Sequence, residues 1–251
     1  MPRPVGSIRQ FHQPAAPECP PLLVFPHAGS GASAYRDFAK VLSARFTVIV
    51  FQYPGRQDRA AEPALPSVPA IAAGAYHDFA ASEHGRTGPL VAFGHSMGAL
   101  VAFEFVRLAE AGGIPVRQLT ASAAVAPSLV AAKPPHPTDD EDILNHLAAL
   151  QGTDTDVFAS REVMRLALPV IKADYRAFDS YDCPVDVKIT APVHALGGEQ
   201  DPYVTLADLY GWGKHCGAAQ VTMFDGGHFF LQDHVDAVAD LLSDQQCGQT
   251  A

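Results

Sequence analysis

Ser96 stands in the run Gly94-His95-Ser96-Met97-Gly98, straight after the apolar stretch Leu90-Val91-Ala92-Phe93. A strand that ends in G-x-S-x-G and runs directly into a helix makes the sharp turn that exposes a nucleophilic serine. Such a turn holds the serine backbone in a strained conformation. Side chains at the flanking positions would meet the neighbouring strand or helix, so both are glycine. Ala99 to Ala109 then reads as a helix that is apolar on most sides. The Ser96 hydroxyl would sit at the N-terminus of that helix, where the dipole and the free N–H groups favour a developing oxyanion. The plainer alternative is a tight turn whose serine merely caps a helix.

A serine nucleophile needs a base, and the base needs an orienting acid. On α/β-hydrolase sheets the chain order is Ser, then Asp or Glu, then His, each beyond the end of a strand. His228 follows the apolar run Gln220–Phe224 through Asp225-Gly226-Gly227 and precedes a final helical pattern, which is the place for the base. Asp201 follows the run Ala191–Leu196 through Gly197-Gly198-Glu199-Gln200, and Pro202 fixes the backbone just after the carboxylate. Glu199 and Asp225 compete for the role of acid; Asp225 also suits a turn residue of the Gly-Gly loop. The oxyanion hole takes one N–H from the residue after the nucleophile, here Met97, and one from a loop after an early strand. That loop is Pro26-His27-Ala28-Gly29-Ser30-Gly31, whose glycines let backbone approach a substrate closely. It could cradle a phosphate, but it has neither the Lys of a P-loop nor a G-x-G-x-x-G spacing. His27 reads as a residue that shapes this loop.

These groups need a sheet to present them. Short apolar runs at Leu22–Phe25, Phe46–Gln52, Leu90–Gly94, Leu119–Val125, Ala191–Leu196 and Gln220–Phe224 are expected strands. Helical patterns fall near Ser33–Ser43, Val68–Ser82, Met97–Ala111, Val204–Gly211 and Leu231–Leu242. The alternation predicts an α/β chain with a mostly parallel central sheet and helices on both faces, and the G-x-S-x-G turn with its Ser, Asp, His order makes the α/β-hydrolase fold the expected one. Ligands of such sheets bind beyond the carboxyl ends of the strands, where Ser96 falls. Residues 128–184 break the rhythm: a proline-rich entry, Lys133-Pro134-Pro135-His136-Pro137, is followed by helical patterns alone. Thr138-Asp139-Asp140-Glu141 reads as a capping box opening a helix through Leu150, and a second helical stretch covers about Arg161 to Asp179. The four acids from Asp139 to Asp142 suit a helix's first turn better than a metal site. The expectation is one domain over 1–251, with a helical lid inserted at about 128–184.

At 251 residues and 48% hydrophobic the chain can bury a large core. Its formal charge of −10 argues against nucleic acid or an anionic membrane surface as partner. No stretch reaches the roughly 18 apolar residues of a membrane span, and Met1 to Pro21 has no apolar signal core. Cys19, Cys183, Cys216 and Cys247 lie far apart with no C-x-x-C spacing, as for reduced thiols of a cytoplasmic protein. No cofactor or metal is expected.

Taken together, several segments resemble the free-standing type II thioesterases of polyketide synthase and nonribosomal peptide synthetase pathways. They are Phe25-Pro26-His27-Ala28-Gly29, Gln52-Tyr53-Pro54-Gly55-Arg56-Gln57-Asp58-Arg59, Gly94-His95-Ser96-Met97-Gly98-Ala99, Leu166 to Tyr175, Gly197 to Val204 and Gly226-Gly227-His228-Phe229-Phe230. The resemblance spans nearly the whole chain. It implies hydrolysis of acyl or peptidyl thioesters from the phosphopantetheine arm of carrier proteins, which would be the partners; a monomer is the expectation for the chain itself. By matching position it makes Ser96 the nucleophile, His228 the base, Asp201 its partner, and the backbone N–H groups of Ala28 and Met97 the oxyanion donors. The chain departs from the family at Gly29-Ser30-Gly31, where two glycines usually follow His-Ala. It departs again at Ala124-Val125, where a basic pair commonly precedes Ala-Pro. A carboxylesterase or acyltransferase of the same fold is the runner-up, and a catalytically silent carrier-binding scaffold is the reading from another class. Carrier proteins of this kind are typically acidic, as is this chain, so some local basic surface would have to guide docking. Arg56 and Arg59 are candidates for it, unless they hold their own loop through Asp58.

Overall fold

Apolar residues run unbroken through the strands because the sheet is covered on both sides. In β2 (Pro21–Phe25), Leu23 and Phe25 join one buried cluster while Leu22 and Val24 join another across the sheet. Alternation of side chains along a strand makes this division. In β4 (Leu90–His95), Ala92 packs with the first cluster, and Val91 and Phe93 with the second. Helices α2 (Val68–Ala81) and α3 (Met97–Ala111) cover the first face; α1 (Arg36–Leu42) and α7 (Val235–Asp244) cover the second. The structure is a computed structural model that describes residues 6–86, 89–151 and 157–244. Cys247, the first five residues of the N-terminal stretch and 152–156 of the expected insertion lie outside the described residues.

The remaining strands are β1 (Ile8–Arg9), β3 (Thr47–Phe51), β5 (Val116–Ser122), β6 (Val193–Gly198) and β7 (Ala219–Phe224). The sheet order is β1-β3-β2-β4-β5-β6-β7. All neighbours are parallel except β1, which pairs antiparallel with β3 at the edge. The six expected strands are present. β1 was not expected, since two residues carry no readable alternation. Expected element ends shift where local chemistry overrides periodicity. The pattern Leu231–Leu242 becomes a 3-10 turn at Phe230–Gln232 and α7 from Val235; Ser33–Ser43 becomes a 3-10 turn at Ala32–Tyr35 followed by α1. The pattern Val204–Gly211 shortens to α6 (Leu206–Tyr210), which Thr205 and Asp208 open with a capping box.

Between β5 and β6 lie a 3-10 stretch (Pro127–Ala132), α4 (Asp140–Gln151) and α5 (Val157–Asp179). Ile143 and Leu144 of α4 and Leu168, Ile171 and Tyr175 of α5 form a separate small core against Ala28 and Leu147. The expected capping box at Thr138 is corrected by one residue. Asp139 is the cap, its Oδ1 accepting the Glu141 N–H at 2.9 Å, because α4 starts at Asp140. The following acids are engaged in ion pairs, Asp140 with Lys172 at 2.5 Å and Glu141 with Arg165 at 2.7 Å. Among the described residues no helix is long and apolar enough to cross a membrane.

The turn from β4 into α3 is the tightest join of the fold. A Cβ on Gly98 would fall inside contact distance of the Phe25 and Pro26 carbonyl oxygens, and one on Gly94 would meet the backbone of Gly98 and Ala99. Backbone atoms on strands cannot rotate away as a flexible side chain can, so Gly98→Ala must push α3 off β2. The expected loss is about 3 kcal/mol or more, read as a fall of roughly 6–12 °C in the melting midpoint. A Gly98→Ala protein that melts with the wild type would contradict this packing.

Candidate active site

Ser96 is the single residue between the end of β4 and the start of α3, with φ 55° and ψ −124°. A non-glycine residue there is strained by roughly 1–3 kcal/mol. Its backbone is pinned by the Ser96 N–H bond to Ser122 O, 2.8 Å, which continues the β4–β5 ladder one residue past His95. Met97 is the first residue of α3, so its N–H has no partner within the helix.

The acid and base loops are zipped together as they leave the sheet. After the pair Gly198 and Phe224, the Glu199 N–H donates to Phe224 O at 2.8 Å and the Gln200 N–H to Gly226 O at 2.9 Å. This brings Asp201 against His228: Nδ1 of the imidazole lies 2.7 Å from Asp201 Oδ2. Both side chains are buried, and Asp201 Oδ1 accepts the N–H groups of Tyr203 (2.9 Å) and Val204 (3.2 Å). With Nδ1 engaged, Nε2 is the ring nitrogen left for a hydroxyl or substrate. The two competing acids stand elsewhere. Glu199 and Asp225 are exposed, and the Asp225 backbone carbonyl takes the His234 ring at 2.8 Å.

Ser96, Met97, Ala28 and His228 line one cavity of about 530 Å³. Its walls include Ala123, Ala124 and Val125 from the end of β5, Pro134 and Pro135, Leu147 and Leu150 of α4, and Ile171, Tyr175 and Phe178 of α5. The pair Ala124-Val125 thus gives an apolar wall. Lys133 also reaches the cavity and is paired with Asp208 at 2.8 Å. At the rim His146 packs on Tyr203 with ring centroids 4.5 Å apart, and His136 stacks on Tyr175 at 4.0 Å. Sequence reasoning assigned these rim residues no role, because their contacts join α4, α5 and the acid loop across long sequence gaps.

Three amides of the loop Pro26–Gly31 are committed. The His27 N–H donates to Tyr35 Oη (3.3 Å), whose hydroxyl also meets His27 Nδ1 at 2.8 Å. The Gly29 N–H donates to Asp174 Oδ2 at 2.7 Å, and the Ser30 N–H to His27 O at 3.1 Å. Amides so engaged, one of them on a carboxylate, do not form a phosphate cradle. Ala28 lies between the two held neighbours and lines the cavity.

Arg56 and Arg59, the candidates for a basic docking surface, are both engaged within the fold. Arg56 is buried in a two-pronged ion pair with Asp174 at 2.7 and 2.8 Å, and donates to Ser30 O at 3.2 Å. Arg59 pairs with Glu62 at 2.6 Å and donates to Gln52 O at 2.8 Å. The alternative partner, Asp58, instead takes Arg9 at 2.8 Å. Asp174 itself is a functional candidate that motif reading passed over. Its signal was a carboxylate three residues after Ile171 and four before Phe178, on the apolar face of α5.

Three imidazoles meet beside Ser96. His27 and His228 lie on either side of His95 at ring distances of 5.8 and 5.5 Å, and Phe229 packs against all three. Burial, then repulsion from His228 and Arg56, lowers the His27 pKa to about 3. Burial, then His228 and His27, holds His95 well below its ordinary value. Both rings are held in the neutral form, and of the three only His228 faces a carboxylate.

The chain matches the family model described as Thioesterase domain over residues 20–245. It is similar to phenyloxazoline synthase MbtB of Mycobacterium tuberculosis, 45% identical over 95% of this chain, and spans 18% of the length of that relative. It is 39% identical to thioesterase PikA5 of Streptomyces venezuelae, over 94% of this chain and 84% of that one. Among solved structures, the type II thioesterase BorB from the borrelidin biosynthetic cluster superposes with a TM-score of 0.83 at 38% identity, over 95% of this chain and 97% of that one.

The low His27 pKa makes folding pH-dependent. Between the ordinary 6.5 and about 3 the unfolded chain binds a proton that the folded ring refuses. Stability present at neutral pH is therefore lost as pH falls through that window. His146, lowered to about 4 chiefly by burial, adds a smaller loss because it is half exposed. In urea unfolding at pH 7, 6, 5 and 4, His27→Gln should flatten the decline by up to about 1.4 kcal/mol per pH unit. Parallel declines in the two proteins would show that His27 titrates normally.

Proposed function

The chain belongs to the thioesterase-domain family, and on that premise we propose that it hydrolyses acyl or peptidyl thioesters on the phosphopantetheine arm of carrier proteins, as an editing enzyme of polyketide or nonribosomal peptide assembly. Residues 1–251 act as one domain with residues 128–184 as its lid, and the enzyme works as a cytoplasmic monomer. The observation that carries the reading is the buried Asp201–His228 hydrogen bond opening on the same cavity as Ser96. Kinship with PikA5 and BorB supports the substrate class. Free thiols at Cys19, Cys183 and Cys216 support a reducing compartment.

In this mechanism Ser96 Oγ attacks the thioester carbonyl while His228 Nε2 takes its proton. Asp201, held by two backbone amides, keeps the imidazole in the right tautomer and stabilises its charge. The tetrahedral oxygen is received by the N–H groups of Ala28 and Met97, each worth about 3 kcal/mol to the transition state. Collapse breaks the C–S bond. The leaving sulfur, whose thiol pKa is about 8.5, departs as a good leaving group and carries away the proton held by His228, which returns the base to its neutral form. Water then attacks the acyl-enzyme, His228 takes a proton from it, and Ser96 is released with the free acid. The apolar wall at Ala123 to Val125, Leu147, Leu150 and Ile171 suits an uncharged acyl chain, and the rim receives the arm.

Ser96→Ala should lower kcat on an acylated carrier protein by several orders of magnitude, and adding His228→Ala should cost little more. Wild-type kcat/KM should be higher on the acyl-carrier than on both an acyl-N-acetylcysteamine and a simple ester of the same acid. Equal values on all three would favour a general esterase, and an unlabelled Ser96 after fluorophosphonate treatment would favour a silent scaffold.

A further inference from the structure

One buried carboxylate links the cover of the cavity to its oxyanion loop. Asp174 lies on α5, is 1% exposed, and sits 145 residues from its partner Gly29. Its Oδ2 accepts the Gly29 N–H and Arg56 Nη1, both at 2.7 Å, and its Oδ1 accepts Arg56 Nη2 at 2.8 Å. Arg56 also donates to Ser30 O, so the loop is held through an amide and a carbonyl at adjacent residues. The backbone of Gly29 lies at φ +74°, where a Cβ would run into the Ile171 side chain one turn before Asp174. α5 therefore rests directly on the loop backbone.

The consequence is geometric. The amide N–H of Ala28 belongs to the peptide unit between His27 and Ala28. The peptide before it is fixed by the His27 N–H on Tyr35 Oη, and the peptide after it by the Gly29 N–H on Asp174. The peptide that carries the Ala28 N–H is thus held on both sides, at a residue that lines the cavity. We propose that Asp174 is a positioning residue for the reaction: seated by Arg56, it holds the Gly29 amide and so aims the Ala28 N–H at the developing oxyanion. This deepens the thioesterase reading and rests on Ala28 and Met97 as the oxyanion donors. The helix that covers the acyl chain also completes the hole that stabilises its transition state. Displacement of a catalytic donor by about 1 Å is enough to cost up to about 100-fold in rate.

The test is the pair of replacements Arg56→Met and Asp174→Val in one protein, which removes both buried charges together, so the fold is not left with an unpaired ion. With acyl-N-acetylcysteamine as substrate, kcat should fall about 10- to 100-fold while KM stays within about 3-fold. Phosphonylation of Ser96 should slow by the same factor, because the phosphonate oxygen occupies the same hole. Asp174→Asn, of the same shape, retains an acceptor for Gly29 but loses the charge; its kcat should fall by a smaller factor, and it decides the matter if the double variant does not fold. Wild-type kcat in either folded variant, or a loss confined to KM, overturns the proposal. A wild-type protein inert toward every thioester would instead sink the thioesterase reading itself.

Discussion

The join between β4 and α3 sets the terms for everything around it. The chain must reverse from strand to helix with one residue between them, and α3 must lie close enough to β2 that Gly98 touches the Phe25 carbonyl. Only then does the helix N-terminus point at the loop that follows β2. The cost is a strained Ser96 backbone, offset by the Ser122 carbonyl that holds its N–H and by the buried apolar faces of α3. Strain of a kcal/mol or two can be carried because the surrounding sheet over-determines the turn. Both candidate oxyanion donors stand at this junction, Met97 on the helix and Ala28 on the loop.

The other half of the site depends on the far edge of the same sheet. β6 and β7 continue their hydrogen-bond ladder into the loops beyond, so Asp201 and His228 are delivered together rather than by two independent loops. The ordering of a carboxylate and an imidazole thus comes from strand register, with little left to side-chain freedom. The rings of His27 and His95, both pushed toward the neutral form by burial, pack beside this pair without adding a charge to it.

Much of this was legible in the sequence, for identifiable reasons. Apolar runs of strand length, glycines flanking Ser96, and loops placed after strands report local constraints, and local constraints are written locally. Six strands, the order of the elements and the meeting of Asp201 with His228 could all be anticipated. What could not be read were pairings set by tertiary distance. β1 is two residues long and exists only because β3 offers it an edge. Arg56 looked like a surface cation by residue type, yet its partner is Asp174, 118 residues away and buried. His146 meets Tyr203 for the same kind of reason, across the gap between α4 and the acid loop. A charge on an apolar helical stripe, as Asp174 is, was the one sequence signal that could have pointed to this.

That buried pair also bears on what the covering helices are for. Two apolar residues of similar volume would stabilise such a contact as well as an ion pair does, since desolvation cancels much of the attraction. Anchoring α5 to the sheet therefore does not by itself call for Arg56 and Asp174; Ile171, Leu168 and Tyr175 already supply apolar contact. A carboxylate differs from an apolar residue in accepting hydrogen bonds in a fixed direction, and its acceptors are directed at one guanidinium and one loop amide. Direction is of little use to a core and of great use to an oxyanion hole, whose donors must be aimed before charge develops. The helix over the cavity of this thioesterase-family chain is thereby tied to the loop that bears Ala28 by an interaction that specifies orientation.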